Sequence, residues 1–167
     1  TLRIELSPLP GESGDGFALD DTAWALLPER KKEKVLLVSN DNLYLEGALL
    51  PDANLTVDKL RPAGWAAGKE AGYDVVVFDG FTPPEAPHAA AIYFQPRGPG
   101  SPVKARGETS RPYVTEVEND HPITRWLALG DVNFDKADVL IPQSGDVVLA
   151  RSARDPLAIA GKRTGRK

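Results

Sequence analysis

The chain has no cysteine among its 167 residues. That excludes disulfides, zinc–thiolate sites, iron–sulfur clusters and any cysteine nucleophile. It leaves the compartment open, because a cysteine-free chain suits either redox environment. Histidine is scarce as well. Only His88 and His121 are present, too few for a His-rich metal site. Basic charge is in deficit, with 20 Lys and Arg against 24 Asp and Glu and a net charge of −4. That is the opposite of the electrostatic footprint of a nucleic-acid binder, so no nucleic-acid partner is expected. No apolar run approaches the roughly 18–20 residues of a membrane-spanning helix, and no segment has the layout of a signal peptide. Methionine is absent and the first residue is Thr1. The chain is therefore expected to be a piece of a longer translated protein, in whose other parts a span or leader could lie.

What is present reads as an ordinary globular composition, 41% hydrophobic and 26% charged. Fifteen glycines and fifteen prolines predict many turns but stay below the roughly 25–30% that marks disorder. Leu2, Ile4 and Leu6 alternate with polar residues, a strand pattern. It is broken by Pro8, Pro10 and the glycine-rich stretch 11–16. A second strand around 21–27 alternates Ala23 and Ala25 against Thr22 and Trp24, and Pro28 closes it. The pair predicts a β-hairpin. Its apolar residues Leu2, Ile4, Leu6, Trp24, Leu26 and Leu27 form a stripe that would dock on the rest of the chain or pair with a second copy. The charged run 29–34 reads as a solvated linker.

Beyond it the pattern changes. Val35, Leu36, Leu37 and Val38 form an unbroken apolar run, as in a strand buried on both faces. Leu43, Leu45, Leu49 and Leu50 fit a helix with Asn40 or Asp41 as N-cap, ended by Pro51. A short strand is expected at 55–57, a second helix at 62–71, a third strand at 75–78 and a fourth at 90–94. This order predicts an α/β domain with three layers and a mainly parallel sheet, preceded by the hairpin. The strands at 35–38 and 75–78 should be parallel neighbours. Residues 95–112 read as a long loop. Further strands are expected at 114–117, 127–129, 137–141, 146–150 and 157–160. The domain boundaries are 1–30 for the hairpin, 31–160 for the α/β domain and 161–167 for a basic, frayed tail.

In a parallel α/β sheet, ligands sit at the carboxyl ends of the strands. Here those ends are Ser39, Asn40 and Asp41, then Asp79, Gly80 and Phe81, then Gln95 and Pro96. Asn40, Asp41 and Asp79 offer oxygen ligands for a hard cation. The alternative is that Asp79 and Gly80 make a turn and Asn40 or Asp41 caps a helix. Residues 73–83 also resemble the phosphoacceptor strand of two-component receiver domains, which would put a phosphorylated aspartate at Asp79. The departures are Ser39, Asn40 and Asp41 where that family has an acidic pair, and the lack of a matching later Ser/Thr and Lys. Asp131, Asn133 and Asp135 have calcium-loop spacing, but Lys136 and Pro142 stand where such a loop needs Gly and Glu. A strand with Val132 and Phe134 inward is the simpler reading. Asp120 and His121 are sequence neighbours and so rarely face each other, and a helical turn from His121 is expected. There is no G-x-S-x-G elbow, H-E-x-x-H or phosphate loop.

Several of these segments resemble a known family. Asp20, Asp21, Thr22 and Ala23 followed by Leu27 and Pro28 are similar to the segment closing a β-sandwich in bacterial BatA-type membrane proteins with a von Willebrand factor A domain. Residues 34–49, 73–80 with Pro83 and Pro84, 91–94, and 120–124 running into 129–132 resemble, in order and spacing, the region after the A domain. That region is related to the class I glutamine amidotransferase-like fold. The resemblance implies a three-layer α/β domain (flavodoxin-like or glutamine amidotransferase-like) of a membrane-anchored bacterial protein, outside the cytoplasm. It does not carry activity over. The family's nucleophilic Cys would follow the strand at 90–94, where this chain has Gln95 and Pro96, and the family's metal-ion adhesion motif belongs to the A domain. The expectation is a non-catalytic structural or protein-interaction domain with no catalytic, cofactor or metal residues, and a possible homodimer through the hairpin. The alternative is a degenerate receiver-like domain with Asp79 at its pocket.

Overall fold

The computed structural model describes residues 1–8, 10–11, 13–14, 16–17, 19–26 and 31–163. Leu27 and Pro28, residues 29–30 of the linker and residues 164–167 of the tail lie outside the described residues. The chain divides into two compact units, Thr1–Lys32 and Glu33–Lys167.

The first unit is a hairpin of β1 (Leu2–Glu5) and β2 (Thr22–Ala25), antiparallel with Ile4 opposite Ala23 and Arg3 opposite Trp24. Alternate residues face opposite sides of a strand. Leu2, Ile4, Ala23 and Ala25 therefore share one face. Trp24 lies on the other, where the Arg3 guanidinium sits 5.3 Å from its ring centre. The expected single stripe is thus split in two by the register.

The second unit opens with a parallel sheet of four strands in the order β4-β3-β5-β6. These are β3 (Glu33–Val38), β4 (Leu55–Leu60), β5 (Val75–Asp79) and β6 (Ala90–Phe94). Val35 pairs with Val75 and Val38 with Phe78, so the two apolar runs are parallel neighbours. Both of their faces are covered. On one, Leu36, Val38, Val76 and Phe78 pack with Trp65, Tyr73, Phe81 and Tyr93. Phe78 is fully buried, stacked on Tyr93 at 4.9 Å and edge-on to Trp65 at 5.0 Å. On the other face, Val35, Leu37 and Val77 pack with Leu45 and Leu49 of α1 (Leu43–Leu49).

The three-layer α/β expectation fails, because α1 is the only α-helix among the described residues and the first face carries no helix. The helix expected at 62–71 is a 3-10 turn, Pro62–Gly64, followed by further turns. Glycine explains this. Gly64 and Gly68 both fall inside the expected helix, Gly68 takes a φ of +86°, outside the helical region, and each glycine inside a helix costs about 1 kcal/mol relative to alanine. Trp65 leaves the turn extended and caps Phe78 instead. Glu70 is buried nearby, with Oε2 lacking a hydrogen-bond partner. Prolines 83, 84 and 87 leave the β5–β6 connection without a helix as well.

The rest of the unit is antiparallel. β7 (Lys104–Ser110) pairs with β9 (Lys136–Ile141), and β11 (Asp155–Ala160), β10 (Val147–Ser152) and β8 (Glu116–Val117) form a second sheet in that order. β7 overturns the long-loop reading of 95–112. Nearly all of its residues are exposed, so no apolar alternation announced it. The strand expected at 127–129 is absent, and Leu129–Asp131 is a 3-10 turn. Val132 is exposed there, so the inward strand through Val132 and Phe134 does not form either. The tail is not frayed from residue 161, because Arg163 grips Asp146 and donates from Nε to the Pro102 carbonyl at 2.8 Å.

Candidate functional site

The carboxyl ends of β3 and β5 meet in one hydrogen-bonded knot. Ser39 is buried, and its Oγ donates to Asp79 Oδ2 at 2.9 Å. Asn42 Nδ2 donates to the same oxygen at 3.1 Å. The Asn42 backbone N–H donates to Ser39 Oγ at 3.2 Å, closing the ring. Asn42 Oδ1 faces the other way and accepts from the N–H groups of Tyr44 and Leu45 at 3.1 and 3.3 Å. It is the N-cap of α1, satisfying donors that the first helical turn leaves orphaned. Asp79 therefore ties β5 to β3 and to the start of α1.

The residues expected to cap or ligate here have other places. Asn40 is exposed. Asp41 takes a left-handed φ of 59° and pairs with Arg61 at 2.5 Å. The cap is Asn42, a residue the pattern reading passed over. Its signal was its position immediately before Leu43, the first residue of the apolar helical period. Asn40 and Asp41 sit two residues and one residue too early.

A shallow cleft of about 210 Å³ lies on the helical side of the strand ends, lined among others by Leu37, Ser39, Asp41, Glu46, Lys59 and Arg61. Asp79 is not among its lining residues. The charges at its rim are already paired. Lys59 Nζ meets Glu46 Oε2 at 2.9 Å, and Arg61 holds Asp41. On the far side of β4, Asp58 accepts the Tyr73 hydroxyl at 2.8 Å. That hydrogen bond to a carboxylate, with some burial, holds the Tyr73 phenol above its ordinary pKa.

Two left-handed residues follow the remaining strand ends. Gly80 has φ 61° and donates its N–H to the Phe94 carbonyl at 2.9 Å. Gln95 has φ 50°, so the turn after β6 is tight but carries an amide in place of a nucleophile.

Elsewhere, Asp120 and His121 do not form a pair. His121 Nδ1 accepts from the Ile123 N–H at 3.2 Å, and the His121 carbonyl accepts from Thr124 and Arg125 at 3.0 Å each. This is the expected helical turn, and its imidazole serves as a backbone cap. Asp131 and Asn133 are exposed, and the Asp135 carbonyl accepts from the Arg111 N–H at 2.7 Å. One two-pronged ion pair in the C-terminal half has no signal in the local sequence. Asp146, whose side chain is wholly buried, receives both terminal nitrogens of Arg163, at 2.6 and 2.9 Å, and the Gln143 N–H at 2.8 Å. The Arg163 hydrogen bonds hold its carboxyl below the usual aspartate range.

No family model, curated protein or solved structure matches the chain.

Proposed function

We propose that the chain is a non-catalytic protein-interaction domain of a bacterial membrane-anchored protein. The observation that carries the non-catalytic half is the knot at the strand ends. Ser39, Asn42 and Asp79, the polar groups best placed for chemistry in a parallel sheet, spend their hydrogen bonds on each other and on the helix N-terminus. A group held this way stabilises the fold, and recruiting it for a reaction would cost the interactions it already makes. The receiver-like alternative has no observation in its favour, since Asp79 lies outside the cleft and accepts from two side chains.

The interaction half is supported by large apolar side chains left in solvent around the turn at His121. Trp126 is 83% exposed, and its chain neighbours Ile123 and Leu127 are exposed with it. Aromatic and aliphatic anchors of this kind dominate binding energy at protein interfaces. The membrane-anchored parent rests on the resemblance of residues 34–49, 73–80 and 91–94 to the region after the A domain of BatA-type proteins. Among the described residues no helix is long and apolar enough to cross a membrane, so this reading assigns the anchor to another part of the parent.

The test of the first half is calorimetric titration with Mg²⁺, followed by incubation with acetyl phosphate. The expected result is no saturable heat and no phosphorylated protein, with Asp79→Asn lowering stability. Sub-millimolar Mg²⁺ binding that Asp79→Asn abolishes would overturn the reading. The parent is tested by its complete reading frame. A preceding A domain and flanking membrane spans support it, and a reading frame with neither refutes it.

A further inference from the structure

The two edges of the parallel sheet are built differently. β4, at one edge, carries Asp58 and Lys59 in the middle of its run, and both are engaged, with Tyr73 and Glu46. Charges of this kind are how natural sheets keep an edge from pairing with another chain. β6, at the other edge, reads Ala90, Ala91, Ile92, Tyr93, Phe94. It has no charge, no proline and no bulge in its pairing with β5. Among the described residues no strand pairs with its outer side.

Its exposed backbone groups can be assigned. The Phe94 carbonyl faces β5, where it accepts from Gly80. Backbone groups alternate sides along a strand, so the N–H and C=O groups of Ala91 and Tyr93 point outward. The side chains are polarised too. Tyr93 and Ala91 pack on the Phe78 face. Ile92 and Phe94 lie on the opposite face, next to Val77 and Asp79 in register. There they remain 50% and 44% exposed, because α1 covers the β3 and β4 side of that face and leaves the β6 side bare.

We infer that β6 is a self-association edge whose partner is β6 of a second copy of this chain, antiparallel about a two-fold axis at Ile92. In that register Ala91 of each copy faces Tyr93 of the other, and these outward-pointing residues exchange N–H···O=C bonds in both directions. Ala90 then faces Phe94, and Ile92 faces Ile92. Each bulky aromatic meets an alanine, and the two exposed Ile92–Phe94 patches merge into one apolar stripe. A two-fold contact needs a self-complementary surface, and this sequence supplies one. The doubled sheet ends on β4 at both sides, where Asp58 and Lys59 oppose further addition, so association stops at two. β6 is only five residues long, and contacts below the standard roughly 800 Å² per partner belong to weak pairs, so a dissociation constant on the order of 10 µM is expected. The inference holds whether or not the strand ends bind anything.

The test is sedimentation velocity of the full chain at concentrations from about 1 to about 500 µM, bracketing that value. Monomer converting to dimer, and to nothing larger, is expected. Ile92→Lys puts like charges against each other at the axis. Ala91→Pro removes one outward N–H without touching the β5 ladder. Each should weaken dimerisation at least about tenfold, the loss of 1.4 kcal/mol, while the circular dichroism spectrum and melting temperature stay those of the wild type. Ile4→Lys on the hairpin should leave dimerisation unchanged. A wild type that is monomeric throughout, or that grows without limit, overturns the inference. So does a dimer that survives both β6 variants, or one that Ile4→Lys abolishes, which would assign the contact to the hairpin. Should one β6 variant misfold, the other still decides.

Discussion

The parallel sheet and the antiparallel strands that follow it are held together by different physics. β3 and β5 bury Val35, Leu36, Leu37, Val38, Val76, Val77 and Phe78 in two strands, with apolar partners on both faces. Over the whole stretch 103–160 the buried hydrophobics are Val103, Val114, Val139, Leu149 and Ala150, and the ladders carry register shifts at Ala105 and around Ala150. That half is fastened instead by polar contacts between distant segments. Arg106 bridges to Asp155, and Arg163 clamps Asp146 and Pro102. A buried apolar strand is stabilised by area removed from water and tolerates no vacancy. A polar network depends on geometry and on protonation. The two halves should therefore fail under different insults.

Truncation of the core separates them most strongly. Phe78→Ala should cost about 3–5 kcal/mol and Leu149→Ala about 2 kcal/mol, at the low end for its class, since fewer apolar neighbours surround it. Urea unfolding measures both, and equal losses would show that the two halves depend on apolar burial alike. Next comes the knot at the strand ends. Ser39→Ala removes a buried donor from Asp79 and should cost about 1–2 kcal/mol, read as a shift of the urea midpoint at constant slope. Asn42→Ala should cost about 1 kcal/mol through loss of the helix cap. Asn40→Ala, two residues earlier, should be silent in the same assay, and a reversed ranking would reinstate the cap expected from the sequence.

Acid probes the polar half. Asp146 has a lowered folded pKa, so its contribution is complete above the unfolded aspartate value of about 3.9 and is lost as pH falls through the folded value. The stability gap between wild type and Asp146→Asn should be widest above about pH 4 and close below it. A gap independent of pH would show that the clamp acts by packing alone. The smallest effect is expected at the exposed Lys136–Glu108 pair, where Glu108→Ala should change stability by less than about 0.5 kcal/mol. A larger loss would mean that this pair belongs to the network.

The legible parts of the fold were those whose burial leaves a mark in local sequence. Val35 to Val38 and Val75 to Phe78 are apolar without a break, because both faces of those strands are covered, and their pairing was readable for that reason. The hairpin was readable from alternation at Leu2, Ile4 and Leu6. β7 was not, since six of its seven residues face water and its only requirement is a partner, β9, more than twenty residues away. At the candidate site the sequence singled out Asp79 and Ser39 as strand-end residues, but not that Ser39 would donate to Asp79.

Composition and pattern alone determined that no thiol chemistry is possible, that β3 and β5 lie in a sheet interior and that α1 begins near residue 42. These follow from residue type and from period, which are local. Only the tertiary structure decided that the segment after Pro62 turns and does not coil. There, Gly64 and Gly68 weaken the helix, and the gain from seating Trp65 on Phe78 comes from a strand ten residues further on, outside the local helical window. It also decided that Asp79 is a fastening, because the neighbours that engage a carboxylate are set by which strand ends meet. Ser39 and Asp79 are 40 residues apart in the chain and 2.9 Å apart in space, and no spacing rule in the sequence encodes that approach.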